Sequence, residues 1–171
     1  MNDSTPLISP ATEIVPAAAP VLPAYRGLAL DAVVLVDTQT SADAAMLELL
    51  AADVLGFDSE SKPTFAKGEV STGPHLIQLA TDTKAILFQT WRPFGMGGVK
   101  SVLESEAILK VGFGLDGDKH LLLDRFGIAL TNTLDLARAL REEAEKNTIG
   151  ARTAVARCFG QKLQKSHHSK V

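Results

Sequence analysis

The fold is decided by residues 54–88, which read VLGFDSESKPTFAKGEVSTGPHLIQLATDTKAILF. The first six begin with apolar residues and become acidic at Asp58, which predicts a strand, and residues 75–80 and 84–88 predict two more strands joined by a tight hairpin. Because side chains alternate along a strand, we expect Asp58 and Glu60 on the same face. Two such carboxylates repel each other unless a cation lies between them, and oxygen ligands select Mg²⁺ or Mn²⁺ over zinc. Taken alone, the pair is also compatible with two solvated acids at a strand end.

A second acidic cluster lies at the end of a predicted strand over residues 107–113. Residues 111–118 read VGFGLDGD and end at Asp118. Asp118 falls near the start of a predicted helix, where a carboxylate is favoured. Its side chain could therefore cap that helix or belong to a functional site.

The same turn spells G-x-G-x-x-G with Gly112, Gly114 and Gly117, which is the pattern of a dinucleotide-binding turn. Asp116 and Asp118 argue against that interpretation, because they place negative charge where a pyrophosphate needs bare backbone N–H groups. We expect the glycines to let the backbone bend close to another group, which the sequence does not identify.

The remaining segments alternate between strand and helix patterns, with Thr40 and Ser41 as candidate caps of the first helix. They are a strand over 31–37 and helices over 42–52, within 95–106, and over 117–126, 134–146 and 148–159. This order predicts an α/β domain with the hairpin at one edge of its sheet.

Composition and length exclude several classes of protein. The 171 residues suit one domain, 46% hydrophobic and 22% charged residues are ordinary for a globular chain, and no apolar run approaches the roughly 20 residues of a membrane span. A single cysteine, Cys158, excludes an internal disulfide framework and a multi-cysteine zinc site, and it favours a reducing, cytoplasmic location. Its apolar neighbours predict a buried side chain.

Proline and charge divide the chain further. Five of the eight prolines lie in residues 1–24, which predicts a disordered or extended arm ahead of a domain over 25–171. Residues 146–171 contain six basic residues and no acid, whereas the formal net charge of the whole chain is −3. A basic end can meet an anionic partner, although on charge alone a solvated helix face and a frayed terminus are the better explanation.

Three quoted stretches together resemble the DEDD 3′–5′ exonucleases, in particular the ribonuclease D-like and Werner-syndrome exonuclease-like subgroup. Residues 54–88 resemble the first exonuclease motif, and residues 108–123 (ILKVGFGLDGDKHLLL) resemble the second. Residues 159–166 (FGQKLQKS) resemble the approach to the third motif. The resemblance covers residues 30–166.

The resemblance implies a ribonuclease-H-like fold: a mixed five-stranded sheet flanked by helices, with its first three strands antiparallel. It implies a two-metal site for Mg²⁺ or Mn²⁺ in which Asp58 ligates both ions, Glu60 helps to hold the ion that carries the attacking water, and Asp118 contacts the second ion. The substrates would be 3′ ends of single-stranded DNA or RNA, and the product a nucleoside 5′-monophosphate. His75 or Leu76 is the candidate for the family's apolar wedge beside the terminal base.

The sequence departs from the family at the third motif, which supplies a fourth carboxylate and a tyrosine four residues before it. The one tyrosine is Tyr25, ahead of every motif, and no acid follows Glu145. We therefore expect slow or unmeasurable nuclease activity from this chain alone.

Further residues have an expected role in binding nucleic acid. Arg152, Lys162 and Lys165 are the candidates for contact with its backbone. Trp91 and Phe94 could stack on a base, or they could pack against the sheet.

Three functions remain open after the sequence. The first is an impaired 3′–5′ exonuclease, the second a degenerate homologue that binds single strands without cutting them, and the third a nucleotide-binding or scaffold domain that uses the glycine turn.

Overall fold

The computed structural model describes residues 21–63, 68 and 70–164, so most of the arm predicted over residues 1–24 lies outside the described residues. A short 3₁₀ turn, Leu30–Ala32, precedes the first strand. In chain order the elements are β1 (Val33–Val36), α1 (Gln39–Leu50), β2 (Val54–Glu60), β3 (Leu76–Ala80), β4 (Ala85–Gln89), α2 (Met96–Leu103), β5 (Leu109–Gly112), α3 (Asp116–Phe126), β6 (Thr133–Asp135), α4 (Leu136–Ala139) and α5 (Ala151–Phe159). The predicted alternation of strands and helices is confirmed.

All six strands join one mixed sheet in the order β1-β4-β3-β2-β5-β6. The sheet thus has six strands, where the resemblance implied five. β3 runs antiparallel to both β2 and β4, while the other neighbouring pairs are parallel. Five strands therefore point the same way, and their carboxyl ends meet at one edge, which is where open α/β sheets bind ligands.

The β3–β4 hairpin lies in the middle of the sheet, so the prediction that it forms an edge is wrong. β1 comes first in the chain but pairs in parallel with β4, with Val33 opposite Ala85 and Val36 opposite Phe88. The antiparallel set is consequently β2, β3 and β4, not the first three strands along the chain.

The two faces of the sheet differ sharply in burial. On one face every central side chain is at most 4% exposed, and these residues form a single core with α1, α2 and α3; they are Leu55, Phe57, Ile77, Leu79, Ile86 and Phe88. The opposite face carries apolar residues that stay 37–53% exposed; they are Val33, Leu35, Val54 and Leu134. Strand alternation and register place Asp58 and Glu60 on this open face.

Helix α1 begins earlier than its sequence suggested. Thr38 is the N-cap: its hydroxyl accepts a bond from Ser41 N at 3.1 Å, and the Ser41 hydroxyl accepts one from Thr38 N at 3.1 Å. The capping box makes Thr38 the residue just before the helix, so Thr40 and Ser41 lie in its first turn. The predicted caps at Thr40 and Ser41 are therefore wrong.

The predicted helix over residues 134–146 is wrong in most of its length. Leu134 belongs to β6, where it pairs with Val111, and the helix that follows is only the four residues of α4. Residues 140–150 contain no helix or strand. The parallel pairing with β5 outweighs the local helical pattern of these residues.

Helix α5 is held by long-range contacts. Tyr25 N donates to Lys162 O at 3.0 Å, Lys162 N donates to Pro23 O at 2.7 Å, and the ring centroids of Tyr25 and Phe159 lie 5.7 Å apart. Cys158 is exposed, which corrects the prediction of a buried thiol, because α5 turns Ala154 toward the protein instead. No helix of the described residues is long and apolar enough to cross a membrane.

Candidate active site

Asp58 and Glu60 stand at the carboxyl end of β2. Asp58 is paired with Gln78 and Glu60 with Leu76, and solvent reaches both carboxylates. The expected placement of the two acids on one face is therefore confirmed. They lie where the open face meets the edge formed by the carboxyl ends of five strands.

Asp118 reaches the same edge from the neighbouring β5–α3 connection. It is the third residue of α3, it is half-buried, and its Oδ1 accepts a hydrogen bond from the hydroxyl of Ser59. Ser59 lies between Asp58 and Glu60 on β2, so this bond joins the two acidic clusters directly. The N-cap of α3 is Leu115, and Asp118 does not fill that role.

Gly112 allows this close approach. A Cβ at Gly112 would collide with the carbonyl oxygen of Phe57 and lie 2.7 Å from Leu115 Cδ2. The expectation that a glycine of this turn permits a tight backbone contact is thus met between β5 and β2. Gly114, two residues later, has a φ of 70°, a left-handed conformation that favours glycine.

The carboxylates perturb one another electrostatically. Partial burial raises the pKa of Asp58, and the negative charges of Glu60 and Asp118 raise it further, against a backbone hydrogen bond at Ser59 that lowers it. Burial also raises the pKa of Asp118, and this effect exceeds the opposing bond from Ser59. A bound cation would relieve the mutual repulsion of the carboxylates. Carboxyl groups with perturbed pKa values are typical of functional sites.

The donor set is made of oxygen ligands alone, which suits a hard divalent cation. Among the described residues, however, no three His, Cys, Asp or Glu side chains are close enough together to form a complete metal site. The three acids are neighbours at an open edge, without the closed geometry of a coordination cage.

Asp135 supports the site from β6, a role that the sequence pattern did not reveal. Its Oδ1 accepts bonds from Gly114 N and from Ala137 N, both at 2.9 Å. Burial would raise the pKa of Asp135, but bonds from Gly114, Ala137 and Leu115 outweigh it and hold the pKa below its usual range. Asp135 is the N-cap of α4, and it also fixes the turn that leads to Asp118.

His75 and Leu76 lie beside Glu60 at the start of β3, and both are half-buried. His75 N donates to Glu60 O at 2.8 Å, its ring Nδ1 accepts from Lys62 N at 3.1 Å, and Nε2 bonds the Thr72 hydroxyl at 3.1 Å. The imidazole is therefore engaged in holding the loop after β2. Leu76 faces Glu60 directly across the strand pair.

The basic residues predicted to contact nucleic acid lie farther along the chain. Arg152 in α5 and Lys162 after it are exposed, whereas Lys165 lies outside the described residues. His167 and His168, which could suggest a metal site, also fall outside them. Arg157 is paired with Glu145 at 2.6 Å and Glu142 at 3.5 Å, so acids that precede the basic segment neutralise part of its charge.

A cavity of about 410 Å³ is bordered by α3, β6 and α4, with Asp116, Lys119 and Arg138 on its wall. Asp116 and Arg138 form an ion pair there. None of the three clustered carboxylates lines this cavity. The candidate site is therefore separate from this cavity.

Comparison with known proteins identifies both a family and a fold. The sequence profile of a family described as 3′–5′ exonuclease matches residues 33–170. Among curated proteins, the chain is 31% identical over 93 residues to the mouse (Mus musculus) bifunctional 3′-5′ exonuclease/ATP-dependent helicase WRN. That stretch is 53% of this chain, and the chain spans 7% of the length of WRN.

Solved structures with a similar fold include an EXO domain and an RNase D. The EXO domain of Aedes aegypti Nibbler matches with a TM-score of 0.65 at 22% identity, covering 84% of this chain and 76% of that domain. RNase D of Trypanosoma brucei matches with a TM-score of 0.70 at 20% identity, covering 78% of this chain and 49% of RNase D. At these identities the likeness establishes the fold, and it confirms the predicted α/β, ribonuclease-H-like class.

Proposed function

Because the chain belongs to the 3′–5′ exonuclease family, we propose that it shortens nucleic acid from the 3′ end and releases nucleoside 5′-monophosphates. The observation that carries the proposal is the meeting of Asp58, Glu60 and Asp118 at one edge of the sheet, linked through Ser59. The fold neighbour RNase D of Trypanosoma brucei forms complexes with RNA U12 and with GMP. Those ligands match the proposed substrate, single-stranded RNA or DNA, and the proposed mononucleotide product.

Asp58, Glu60 and Asp118 would hold Mg²⁺ or Mn²⁺, since they offer oxygen ligands and repel one another in the absence of a cation. The chemistry that two such ions would supply, when bound, is activation of a water and stabilisation of the leaving 3′ oxygen during in-line phosphoryl transfer. The protein's contribution is to fix the ligands. Strand β2 sets the spacing of Asp58 and Glu60, and Ser59 holds one oxygen of Asp118.

Leu76 is the better of the two wedge candidates. Its half-buried apolar side chain faces Glu60, so it is placed to contact the terminal base beside the metal ligands. We assign His75 a supporting role, because both ring nitrogens already bond the loop that follows β2.

The basic residues Arg152, Lys162 and Lys165 would attract the phosphate backbone without reading its sequence. Two of them are exposed in the described part of the chain. Location in the cytoplasm stays a prediction that rests on the single cysteine.

We further propose that these 171 residues are a weak nuclease by themselves. They supply three of the family's four carboxylates and no acid after Glu145, and their one tyrosine is Tyr25. With one ligand missing, the ion that carries the attacking water would bind poorly. The alternative function is a single-strand binding domain that does not cut, and the exposed basic residues Arg152 and Lys162 are the observation that favours it.

The test is a trimming assay with protein in excess over a 5′-labelled single strand and Mn²⁺ present. We expect slow stepwise shortening from the 3′ end with release of 5′-mononucleotides, and its loss in Asp58→Ala. The matched control is Asp82→Asn, since Asp82 lies in the β3–β4 turn at the opposite end of the sheet.

Each outcome separates the possibilities. Rapid multiple-turnover trimming by the wild type would contradict the weak-nuclease proposal. Trimming that persists in Asp58→Ala would contradict the metal assignment. Salt-sensitive binding that is independent of Mn²⁺, with no trimming at any protein concentration, would replace the exonuclease by the binding domain.

A further inference from the structure

Trp91 is the one tryptophan of the chain, and its side chain is 60% exposed. Tryptophan side chains are highly buried on average, so such exposure is unusual. Phe94, three residues later in the same loop, packs against the hydrophobic core. The loop after β4 therefore uses one aromatic side chain for packing and presents the other to solvent.

The loop is tied to the candidate active site by a short chain of hydrogen bonds. Thr90 N donates to His75 O at 3.0 Å, the Thr90 hydroxyl donates to Pro74 O at 2.8 Å, and His75 N donates to Glu60 O at 2.8 Å. Two backbone hydrogen bonds thus separate Glu60 from the residue that precedes Trp91.

The register of the sheet gives the distance from the end of β4 to Glu60 on β2. Gln89 pairs with Leu76, and Leu76 pairs with Glu60, so the three residues lie in one row across β4, β3 and β2. Neighbouring strands are roughly 5 Å apart, which places Gln89 about 10 Å from Glu60. Trp91 follows two residues later, beyond the strand end, at the edge where the acids meet.

The backbone around Trp91 is fixed by a turn. Arg92 N donates to Gln89 O at 3.0 Å, and Arg92 Nε donates to Gln89 Oε1 at 2.5 Å. An aromatic ring on a fixed backbone needs little ordering when a ligand binds. Arg92 beside it adds a positive charge suited to a phosphate.

From these observations we propose that Trp91 is a stacking platform for a base of the single-stranded substrate, upstream of the 3′-terminal nucleotide at Asp58 and Glu60. The proposal deepens the exonuclease function and rests on it. Stacking on an aromatic ring tolerates every base, because each base has a π-face. Trp91 would thus strengthen the hold on single strands without selecting their sequence.

Intrinsic fluorescence tests the proposal directly, since Trp91 is the one tryptophan. The probe is a 5′-labelled oligothymidylate, with Ca²⁺ in place of Mn²⁺ to suppress cleavage. We expect the oligonucleotide to quench the tryptophan fluorescence over the same concentrations at which the label's anisotropy rises. Trp91→Ala should weaken binding about tenfold, and Trp91→Phe should retain most of the affinity.

Oligonucleotides that lack a single base identify the stacked nucleotide. Removal of one particular base should weaken binding to the wild type. The same removal should have no effect on binding to Trp91→Ala, because that variant has already lost the stacking contact between the ring and the base. Leu47→Ala is the control, since Leu47 is an apolar residue that is 78% exposed and belongs to α1, outside the row that contains Glu60. Both alanine variants should keep the wild-type unfolding midpoint.

Failure of this inference differs from failure of the proposed function. If the wild type binds the oligonucleotide without quenching, and Trp91→Ala binds equally well, Trp91 is not a platform while the exonuclease proposal stands. If the wild type neither binds single strands nor trims them with Mn²⁺, the proposed function fails, and the stacking proposal fails with it.

Discussion

The hydroxyl of Ser59 donates a hydrogen bond to Oδ1 of Asp118, joining two acidic clusters that lie 59 residues apart in the sequence. Ser59 points to the opposite face of β2 from its neighbours Asp58 and Glu60. The same strand therefore presents two carboxylates on one face and orients a third from the other. This arrangement makes Ser59 a positioning residue for the proposed metal site.

Ser59→Ala should lower Mn²⁺ affinity about tenfold or more, as loss of a hydrogen bond that orients a metal-binding carboxylate usually does. Ser59→Thr retains the hydroxyl and should recover part of the affinity. Titration of free Mn²⁺ by electron paramagnetic resonance measures both. Equal or tighter binding by Ser59→Ala would show that the bond does not orient Asp118 for a cation.

Gly112→Ala should destabilise the protein by about 1–3 kcal/mol, because its methyl group would meet the Phe57 carbonyl and Leu115. Chemical unfolding measures this loss. Gly117→Ala is the matched control: Gly117 lies inside α3, and apart from its chain neighbours and the adjoining helix backbone no atom lies within 4 Å of an added Cβ. That control should gain up to roughly 1 kcal/mol from helix propensity. Two alanine variants of equal stability would contradict the close approach of β5 to β2.

Asp135→Ala should cost about 1–2 kcal/mol, since it removes the cap of α4 and the tether to the Gly114 turn. The variant should also weaken Mn²⁺ binding, because that turn leads to Asp118. Asp124→Ala, at an exposed position of α3, should change stability by less than about 0.5 kcal/mol. An Asp135 variant as stable as the Asp124 variant would exclude the tether.

The Glu145–Arg157 ion pair predicts a pH dependence. The hydrogen bonds from Arg157 come first among the effects that lower the pKa of Glu145 to about 2, against an ordinary value of 4.5. A carboxyl with a lowered folded pKa stabilises the folded state above its unfolded pKa and loses that effect as the pH falls through its folded pKa. The unfolding midpoint of Glu145→Gln should therefore lie below that of the wild type at pH 7, and the two should converge between about pH 4.5 and 2.

Glu143→Gln serves as the control for that series, because Glu143 is an exposed neighbour in the same segment. Its midpoint should follow the wild type at every pH. A difference between Glu145→Gln and the wild type that stays constant down to pH 2 would rule out the ion pair as its source.

Features of the fold and of the site that depend on a local sequence pattern could be predicted from the sequence. Alternation of side chains in β2 placed Asp58 and Glu60 together, and the paired apolar runs around Thr81-Asp82-Thr83 predicted the hairpin correctly. The glycine turn before Asp118 was also interpretable, since a residue without a Cβ is what a close contact between two backbone segments requires.

The failures lie where distant segments determine the result. β1 pairs with β4 across 52 positions, from Val33 to Ala85, so local patterns gave no reason to place the hairpin inside the sheet. Leu134 has helix-forming neighbours, yet it pairs with Val111 of β5. The bonds from Ser59 to Asp118 and from Gly114 to Asp135 likewise depend on the finished fold.

The most direct test of the central claim, that Asp58, Glu60 and Asp118 together hold a divalent cation, is Mn²⁺ binding to the intact chain measured by electron paramagnetic resonance. The wild type and the control Asp82→Asn should deplete free Mn²⁺ alike, and Asp58→Asn, Glu60→Gln and Asp118→Asn should each bind it at least about tenfold more weakly. If Asp58→Asn binds Mn²⁺ as tightly as Asp82→Asn does, the proposed metal site is wrong.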